Sequence, residues 1–260
     1  MPREEKVQKK LLYTQGATWN LMGQLDKEIE REHIFADAVE RNIHFMSLQE
    51  TGSKTYKEII GRGGKIINLV GGITKEYRGL GFYIRESWLE RLISVRLIND
   101  RIAVIKFDMG EKGKLTVINV YGPTLMVTRE NPEKGRDFYS QLSATYNSEK
   151  EDSALFFIMG DFNSKIGMQV SRTDSEFMGK YGKGERNDNG NNLKNLLVEE
   201  GLYLINTHFK LRHNKIATWH GGRPAEGKTT PGCHNQIDYI VVPSKAGSQT
   251  SCGCKSLYGA

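Results

Sequence analysis

Short apolar runs, broken by polar residues and glycines, recur along the whole chain and predict a protein rich in β-strands. The predicted strands are residues 11–19, 43–48, 81–84, 92–97, 102–107, 115–121, 155–159, 203–206, 217–219 and 236–242. Residues 110–113 begin and end with glycine and separate two of these strands, which is typical of a hairpin.

Three longer segments have the apolar spacing and end signals of helices. The first is predicted over residues 26–41 with Asp26 as its capping residue, the second over 132–146, and the third over 189–200. Gly201 is expected to end the third helix. The glycine-rich segment 61–72 suits a turn or a phosphate-binding loop, but its spacing matches no P-loop, which favours a hairpin loop.

Many strands, a few helices and two strongly apolar runs predict an α/β fold in which sheets pack face to face with helices outside. No internal repeat or linker-like segment divides the chain, so we expect one domain over residues 11–243. Residues 1–10 are predicted to be a charged N-terminal extension. Residues 244–260, rich in Ser, Gly and Lys, are predicted to be a disordered or aberrant tail.

Composition narrows the classes of protein to which the chain can belong. The 260 residues are 38% hydrophobic with a net charge of +6, which favours a polyanionic partner such as nucleic acid, although many basic proteins bind none. No apolar run approaches the roughly 20 residues of a membrane helix. Residues 1–10 lack a signal-peptide core, so we expect an intracellular protein, nuclear or cytoplasmic, with no membrane partner.

The three cysteines, Cys233, Cys252 and Cys254, form no CxxC pair, so neither a disulfide framework nor a structural zinc site is expected. Reduced thiols are consistent with the intracellular location.

The most informative stretch is the apolar run 155–159, which continues into Gly160, Asp161, Phe162 and Asn163. The run predicts a buried strand. Because side chains alternate along extended chain, we expect Asp161 and Asn163 to project together and Phe162 to point the other way. A carboxylate and a carboxamide at a strand end suit a metal ion or a water held against a phosphate. The alternative is an ordinary polar strand end followed by a loop.

Four other polar residues lie at or within predicted strands: Asn20, Glu50, Tyr121 and Asp238. A buried charge such as Asp238 must be paired or functional. Ordinary structural roles remain open for each residue. Asn20 suits a turn or helix start, Glu50 a solvated loop, Tyr121 a packed aromatic position, and Asp238 a buried ion pair with a loop arginine.

In chain order, the segments 18–20, 48–50, 119–121, 160–163 and 237–239 resemble the motifs of the endonuclease/exonuclease/phosphatase superfamily. Segments 184–190, 204–207 and 217–219 narrow the resemblance to the endonuclease domain of LINE-type (RTE-like) non-LTR retrotransposons. The same domain occurs in craniofacial development protein 2-like proteins. The resemblance covers residues 11–243.

The resemblance implies a four-layer, DNase I-like sandwich of two mixed β-sheets flanked by helices. It also implies a DNA phosphodiesterase whose cofactor is Mg²⁺, with Mn²⁺ as the alternative. We expect the protein to be a monomer. It implies that Glu50 is the main metal ligand, with Asn20 beside it, and that Asp161 orients or deprotonates the attacking water. One glutamate near one asparagine fits Mg²⁺, which takes one or two carboxylates and keeps several waters.

The same resemblance implies that Asn163 and Tyr121 contact the scissile phosphate and that Asp238 positions a catalytic histidine. The family pattern closes with a Ser-Asp-His motif, whereas this sequence has no Asp or His after Val242. We therefore expect a sandwich that lacks its last elements, has little nuclease activity and is less stable than a complete domain. His220 or His234 as a substitute is less favoured than an exposed loop position, because neither has strand support.

Three origins are consistent with this departure: a truncated or frameshifted retroelement copy, a mispredicted gene, or a domesticated remnant. The alternative functions are a non-catalytic nucleic-acid-binding protein and, less favoured, an inositol-phosphate or lipid phosphatase.

Overall fold

The computed structural model describes residues 14–69, 79–212, 215–221 and 233–243. They form two β-sheets packed face to face between two helical layers. The predicted tail 244–260, the whole predicted extension 1–10 and residues 11–13 lie outside the described residues. So does segment 70–78, which includes the end of the glycine-rich stretch. Within the described part, no helix has the length and apolar content needed to cross a membrane.

The first sheet has five strands in the order β1-β2-β5-β4-β3, with β1 parallel to β2 and the other pairs antiparallel. Its strands are β1 (Gly16–Asn20), β2 (Phe45–Gln49), β3 (Lys57–Gly61), β4 (Gly64–Leu69) and β5 (Leu80–Arg85). The remaining strands are β6 (Leu92–Asn99), β7 (Ile102–Asp108), β8 (Lys114–Tyr121), β9 (Leu155–Asp161), β10 (Leu202–Leu204), β11 (Trp219–Gly221), β12 (Cys233–Asn235) and β13 (Asp238–Pro243).

The second sheet has the order β10-β13-β9-β8-β7-β6, in which only β8 and β9 are parallel neighbours. Strands β11 and β12 form a separate hairpin pair. The helices are α1 (Glu28–Glu40), α2 (Glu86–Leu89), α3 (Leu125–Glu130), α4 (Pro132–Glu149) and α5 (Asp188–Glu199).

Three hydrophobic clusters hold the layers together. The central cluster lies between the sheets and joins residues such as Phe82 of β5 to Val117 of β8. The outer face of the first sheet packs on α1, and the outer face of the second packs on α4 and α5. Burial of these apolar side chains is the main source of stability for such a layered domain. The predicted α/β sandwich of two mixed sheets flanked by helices is confirmed.

The α4 prediction is confirmed in detail. Its predicted apolar face, formed by Phe138, Leu142 and Tyr146, is buried against the second sheet. The helix continues to Glu149, beyond the predicted end at residue 146. Gly201 follows α5 with a φ of 61°, a left-handed conformation that glycine adopts without strain.

Several local predictions are wrong. Asp26 does not cap α1 with its side chain; the residue before the helix is Lys27, and the Asp26 carboxylate forms an ion pair with Lys57 instead. The hairpin favoured for the glycine-rich stretch is present, with its turn at residues 61–64, but the described residues after the turn form the strand β4 instead of a loop. Residues 205–207 form a 3₁₀ turn instead of strand, because the chain leaves β13 after Leu204.

Candidate active site

The residues predicted for the site lie at the same end of neighbouring strands. In the second sheet, Tyr121, Asp161 and Asp238 are register partners on β8, β9 and β13. In the first sheet, Asn20 ends β1 and Glu50 directly follows β2. Since the two sheets face each other, these strand ends meet across the layer between them.

A hydrogen-bonded network joins four of these side chains. The amide nitrogen of Asn20 donates to Glu50 Oε1 at 2.9 Å and to Asp161 Oδ2 at 2.9 Å. The Tyr121 hydroxyl donates to the same Glu50 oxygen at 3.0 Å. The structure therefore brings together two carboxylates that lie far apart in the sequence, with neutral donors between them.

Glu50 has an unusual backbone conformation. Its φ is 45°, in the left-handed region that side-chain-bearing residues rarely adopt. Its carbonyl accepts a hydrogen bond from Gly23 N at 2.7 Å, and a Cβ on Gly52 would lie 2.5 Å from Gly23 Cα. This close approach of two loops holds the strained turn that directs the Glu50 carboxylate towards Asn20 and Tyr121.

Asp161 and Asn163 are neighbours, but not through strand alternation as predicted. Strand β9 ends at Asp161, and Asn163 has a left-handed φ of 48°. The Asn163 backbone amide donates to Asp161 Oδ1 at 2.8 Å, and its side-chain amide donates to Gly122 O at 2.9 Å. Phe162 is fully buried beside Tyr239, as its apolar character predicts.

Asn189 is a residue of the site region to which sequence reasoning assigned no role. It is 1% exposed and donates from its amide nitrogen to Pro123 O at 2.9 Å and to Asn163 O at 3.0 Å. Its amide oxygen accepts from the Thr128 hydroxyl at 2.6 Å. Asn189 thus fastens the turn at Asn163 to α3 and α5. A buried asparagine within an amphipathic helix is the signal that points to such a role.

A second polar group that sequence reasoning missed lies between the sheets. Gln49 donates to Asn119 Oδ1 at 2.6 Å, and its own amide oxygen accepts from the Thr18 hydroxyl at 3.1 Å. Asn119 donates in turn to Leu48 O and Gly81 O, both at 2.9 Å. These bonds fix β8 against β2 and β5, so they set the distance between the two halves of the site.

Asp238 lies beside the network at the start of β13. The Thr218 hydroxyl accepts hydrogen bonds from the backbone amides of Ile237 and Asp238, both at 3.1 Å. The Asn206 side chain donates to Asp238 O at 3.1 Å. Among the described side chains, no lysine, arginine or histidine pairs with the Asp238 carboxylate, so the open alternative of a loop-arginine pair is not seen in this part of the chain.

Burial and mutual repulsion shift the proton affinities of the site. Burial raises the pKa of Asp161 to about 6, against the lowering effect of the bonds from Asn163 and Asn20 and with a further rise from the Glu50 charge. Burial and the charges of Asp161 and Glu50 raise the pKa of Asp238 well above its usual range. Burial, followed by the same two charges, also raises the pKa of Tyr121, so its hydroxyl stays neutral.

The site concentrates negative charge, and the atoms that could bind a metal ion there are oxygens. Oxygen ligands are those that Mg²⁺ and Mn²⁺ prefer. In the described part of the chain, no three His, Cys, Asp or Glu side chains lie close enough to coordinate one ion. Glu50 with water therefore fits a metal better than an all-protein cage does. Asn20 presently uses its oxygen to accept from Met22 N at 2.9 Å, so a ligand role would use the remaining lone pair.

The two histidines weighed as substitutes lie in the β11–β12 hairpin. The prediction that neither histidine has strand support is wrong: His220 lies on β11, and His234 is its register partner on β12. The His234 side chain is exposed, as predicted.

The model of the Endonuclease/Exonuclease/phosphatase family matches residues 17–258 of the chain. Among curated proteins, the chain is 30% identical to craniofacial development protein 2 of Bos taurus and to the same protein of Tragulus javanicus, each over 165 residues. That match covers 63% of this chain but only 25% and 26% of the two relatives, so the chain aligns with about a quarter of their length.

Solved structures share the architecture at low sequence identity. The endonuclease domain of TRAS1, a telomere-specific non-LTR retrotransposon, superposes with a TM-score of 0.56 at 14% identity, over 88% of this chain and 84% of that domain. The APE2 catalytic domain of Xenopus laevis gives 0.60 at 16% identity over 89% and 82%. The Neisseria 3′ phosphatase NExo, solved with a product DNA hairpin, gives 0.58 at 15% identity over 89% and 87%. At these identities the likeness shows the fold alone.

Proposed function

Because the chain belongs to the endonuclease/exonuclease/phosphatase family, we propose that its site is that of a divalent-metal-dependent phosphodiesterase that cuts DNA. The observation that carries the proposal is the network of Asn20, Glu50, Tyr121 and Asp161 at the strand ends. Such a network places Asp161, a carboxylate whose pKa is raised, and the Glu50 carboxylate beside neutral donors, as phosphate-ester hydrolysis requires.

Glu50 would hold the metal, with Asn20 beside it, and Mg²⁺ is the proposed ion, with Mn²⁺ as an alternative. When bound, the metal would supply positive charge that stabilises the extra negative charge on the phosphate oxygens. Its charge would also favour the ionised form of Asp161 by lowering a pKa that burial and Glu50 now raise to about 6.

Ionised Asp161 would accept a proton from the attacking water and hold that water in line with the phosphorus. Tyr121 remains a hydroxyl donor because its pKa is raised, and Asn163 offers the second proton of its side-chain amide. Both would donate to phosphate oxygens, Tyr121 by turning its one hydroxyl proton from Glu50 Oε1 to the phosphate. Neutral donors are suited to this task since they stabilise the developing charge without the desolvation cost of a buried lysine or arginine.

Asp238 would orient a proton donor on the leaving-group side, and an imidazole is the group that a buried carboxylate usually orients. The described part of the chain provides no cationic partner for it. We therefore propose that this polypeptide nicks DNA slowly, since protonation of the leaving group by a positioned acid contributes on the order of 10² to 10⁴ in rate.

The narrower proposal is that the domain is of the LINE type. It is supported by the motif segments 184–190 and 217–219, whose residues Asn189 and Thr218 fasten the turns that carry Asn163 and Asp238. The TRAS1 endonuclease domain is one of the similar folds. DNA as the partner is supported by the net charge of +6.

The test is nicking of supercoiled plasmid with Mg²⁺, with Mn²⁺ and with EDTA. We expect slow, metal-dependent nicking that Asp161→Asn abolishes and that Glu176→Gln, an exposed acid outside the site, leaves unchanged. Nicking that persists in EDTA or in Asp161→Asn would overturn the assignment of the site. Nicking as fast as that of a histidine-containing family member would overturn the proposed slow rate.

A second candidate is a nucleic-acid-binding protein without chemistry, favoured by the positive net charge and by the absence of a cationic partner for Asp238 in the described residues. Salt-dependent DNA binding with no metal-dependent nicking would select it.

A further inference from the structure

The outer edge of the second sheet carries a groove, beyond β13 as seen from the candidate active site. We call it the edge groove and define it by Arg172, Lys180, Tyr181, Tyr203 and His208. Two adjoining hollows of about 420 and about 330 Å³ make up the groove. One wall is the segment 169–181 that follows β9, and the other is the chain around β10.

The floor of the groove is firmly built. The backbone amides of Gly179 and Tyr181 donate to the hydroxyl and the carbonyl of Thr207, at 2.8 and 2.9 Å. A Cβ on Gly179 would lie 2.5 Å from His208 Cα, so only glycine permits this approach of the two walls. On the far side, Asp174 accepts from Ser171 N at 3.1 Å and thereby pins the segment that carries Arg172. The groove is therefore a feature of the fold and not a gap between loose loops.

The charges that line the groove are positive. Arg172 and Lys180 are exposed, and neither forms an ion pair with any residue in the described ranges. None of the lining residues is acidic. Of the acids in segment 169–181, Asp174 is buried and paired with Arg186, and Glu176 is exposed but does not line the groove. Two lining cations with no ion-pair partner among the described residues attract an anionic chain.

Aromatic rings lie next to these cations. The rings of Tyr203 and His208 are 6.2 Å apart, with the Tyr203 hydroxyl 3.4 Å from His208 Nδ1, and the ring of Phe209 is 5.4 Å from that of His208. His208 is exposed, and Tyr181 is partly exposed. Cations along a groove with interleaved aromatic rings are the arrangement that binds single-stranded nucleic acid, through phosphates and stacked bases.

Hydrogen bonds connect the β10 wall of the groove to β13, the strand that begins at the candidate active site. Asn206, two residues before His208, donates to Asp238 O at 3.1 Å and accepts from Ile240 N at 3.3 Å. Strand β10 pairs with β13, and β13 pairs with β9, which carries Asp161. Neighbouring strands lie about 4.8 Å apart, and β10 pairs with residues 241–243 at the end of β13 that lies away from Asp238.

From these contacts we propose that the edge groove binds one strand of nucleic acid, as a continuation of the strand that enters the active site. Arg172 and Lys180 contact its phosphates, while Tyr203 and His208 stack on its bases. The inference rests on the proposed function for the direction in which the nucleic-acid strand runs, but binding in the groove requires no cleavage. It adds a contact site several nucleotides from the scissile bond.

The test is binding of fluorescent single-stranded DNA, measured by anisotropy in EDTA so that no cleavage occurs. Oligonucleotides of about 4 and about 16 nucleotides bracket the size of such sites. The variant Arg172→Ala/Lys180→Ala is compared with Lys112→Ala/Lys150→Ala. The second variant removes equal charge near the starts of β8 and β9, away from the strand ends that form the candidate active site. All four positions are exposed, and circular dichroism verifies that each variant is folded.

We expect the groove variant to bind the long oligonucleotide about tenfold more weakly, with a salt slope smaller by about 1.4, the loss of two single-strand phosphate contacts. Its binding of the short oligonucleotide stays unchanged. The control variant binds both like the original chain. Tyr203→Leu weakens long-oligonucleotide binding without a change in the salt slope, because stacking carries no counterion release.

Equal weakening by the two charge variants would overturn the edge groove, because net charge alone would then account for binding. Unchanged binding by the groove variant, in a chain that still nicks plasmid, would overturn the groove and leave the active-site proposal intact. Displacement of DNA by polyglutamate at equal charge concentration would overturn the nucleic-acid assignment. A chain that neither binds nor nicks DNA would overturn both proposals.

Discussion

Asp161, at the end of β9, and Asp174, in the segment that follows, are almost equally buried, at 4% and 1% exposure, but they meet opposite electrostatic surroundings. Burial raises the pKa of Asp161 to about 6, because only neutral donors face it and Glu50 adds like charge. Burial alone would also raise the pKa of Asp174, but Arg186 and two backbone amides lower it below its usual value.

We propose that the difference separates a carboxylate that stabilises the fold from one that takes part in the proposed chemistry. Asp174 finds its counter-charge in Arg186 at 2.9 Å, and the pair stabilises the segment that forms the edge groove. Asp161 finds no cation among the described residues, although three acidic groups influence one another there. Buried charge without a partner is costly, so its retention at strand ends indicates a place for a cation from outside the chain.

The largest expected effect is a loss of stability when Asp174, the acid paired with Arg186, is removed. Asp174→Ala should lower the free energy of unfolding by about 3 kcal/mol, because it removes the counter-charge of the partly buried Arg186 and the acceptor of two backbone amides. Asp161→Asn should leave that free energy equal or higher in EDTA at pH 7, since it removes an unfavourable charge. Urea unfolding of both variants measures these free energies. Equal destabilisation by the two substitutions would contradict the distinction between Asp161 and Asp174.

The next effect is a difference in pH dependence. A carboxyl whose pKa is raised in the folded state, such as Asp161, stabilises the fold below the unfolded pKa of 3.8, and that stability is lost as pH rises through about 6. Asp161→Asn should therefore gain about 2 to 3 kcal/mol relative to the original chain between pH 4 and pH 7 in EDTA. Chemical unfolding at each pH tests the sign.

For Asp174 the sign is opposite. Its pKa is lower in the folded state than in the unfolded state. The resulting stability is present above the pKa of the unfolded state and is lost as the pH falls through the pKa of the folded state. The destabilisation caused by Asp174→Ala should therefore shrink on acidification below pH 4. A destabilisation that grows in acid would contradict the pairing with Arg186.

A smaller effect is expected at Asn189, which connects the turn at Asn163 to α3 and α5. Asn189→Ala should cost about 2 kcal/mol, because the hydrogen bonds to Pro123, Asn163 and Thr128 are buried. It should also reduce nicking, since the left-handed turn at Asn163 loses its support. Asn195→Ala, on the exposed face of the same helix, is the control and should change neither property. Lost stability with full nicking would show that Asn189 serves only the fold.

The smallest effect is expected at an exposed acid. Asp26 pairs with Lys57 at the surface, where solvent screens the charges, so Asp26→Ala should change stability by less than about 1 kcal/mol. Thermal unfolding of this variant gives the baseline for the others. A loss as large as that of Asp174→Ala would show that burial does not govern the cost of removing an acid from this protein.

Sequence patterns predicted the layers and most strands of the sandwich, because apolar runs report burial directly. They missed β3 and β4, where glycines at the hairpin obscured the strand pattern, and the short helices α2 and α3, which are too brief for a periodic signal. The strand boundary after Leu204 also escaped prediction, because tertiary pairing with β13 decides it.

Sequence reasoning selected residues that the structure brings together at the strand ends, but it could not predict their geometry. Family resemblance named Asn20, Glu50 and Asp161, but the double hydrogen bond from Asn20 depends on how two sheets pack. The left-handed conformation of Glu50 depends on the contact between Gly23 and Gly52. Such features arise from contacts between distant segments, which neither local pattern nor residue type contains.

The central claim is that the carboxylates at the strand ends bind a divalent cation. Its most direct test is calorimetric titration of Mn²⁺ into the metal-free chain. We predict one binding site, weakened about tenfold or more in Glu50→Gln and unchanged in Glu176→Gln, because only the former removes a ligand oxygen. Binding of equal strength in all three proteins, or no binding by the original chain at millimolar Mn²⁺, would contradict the account.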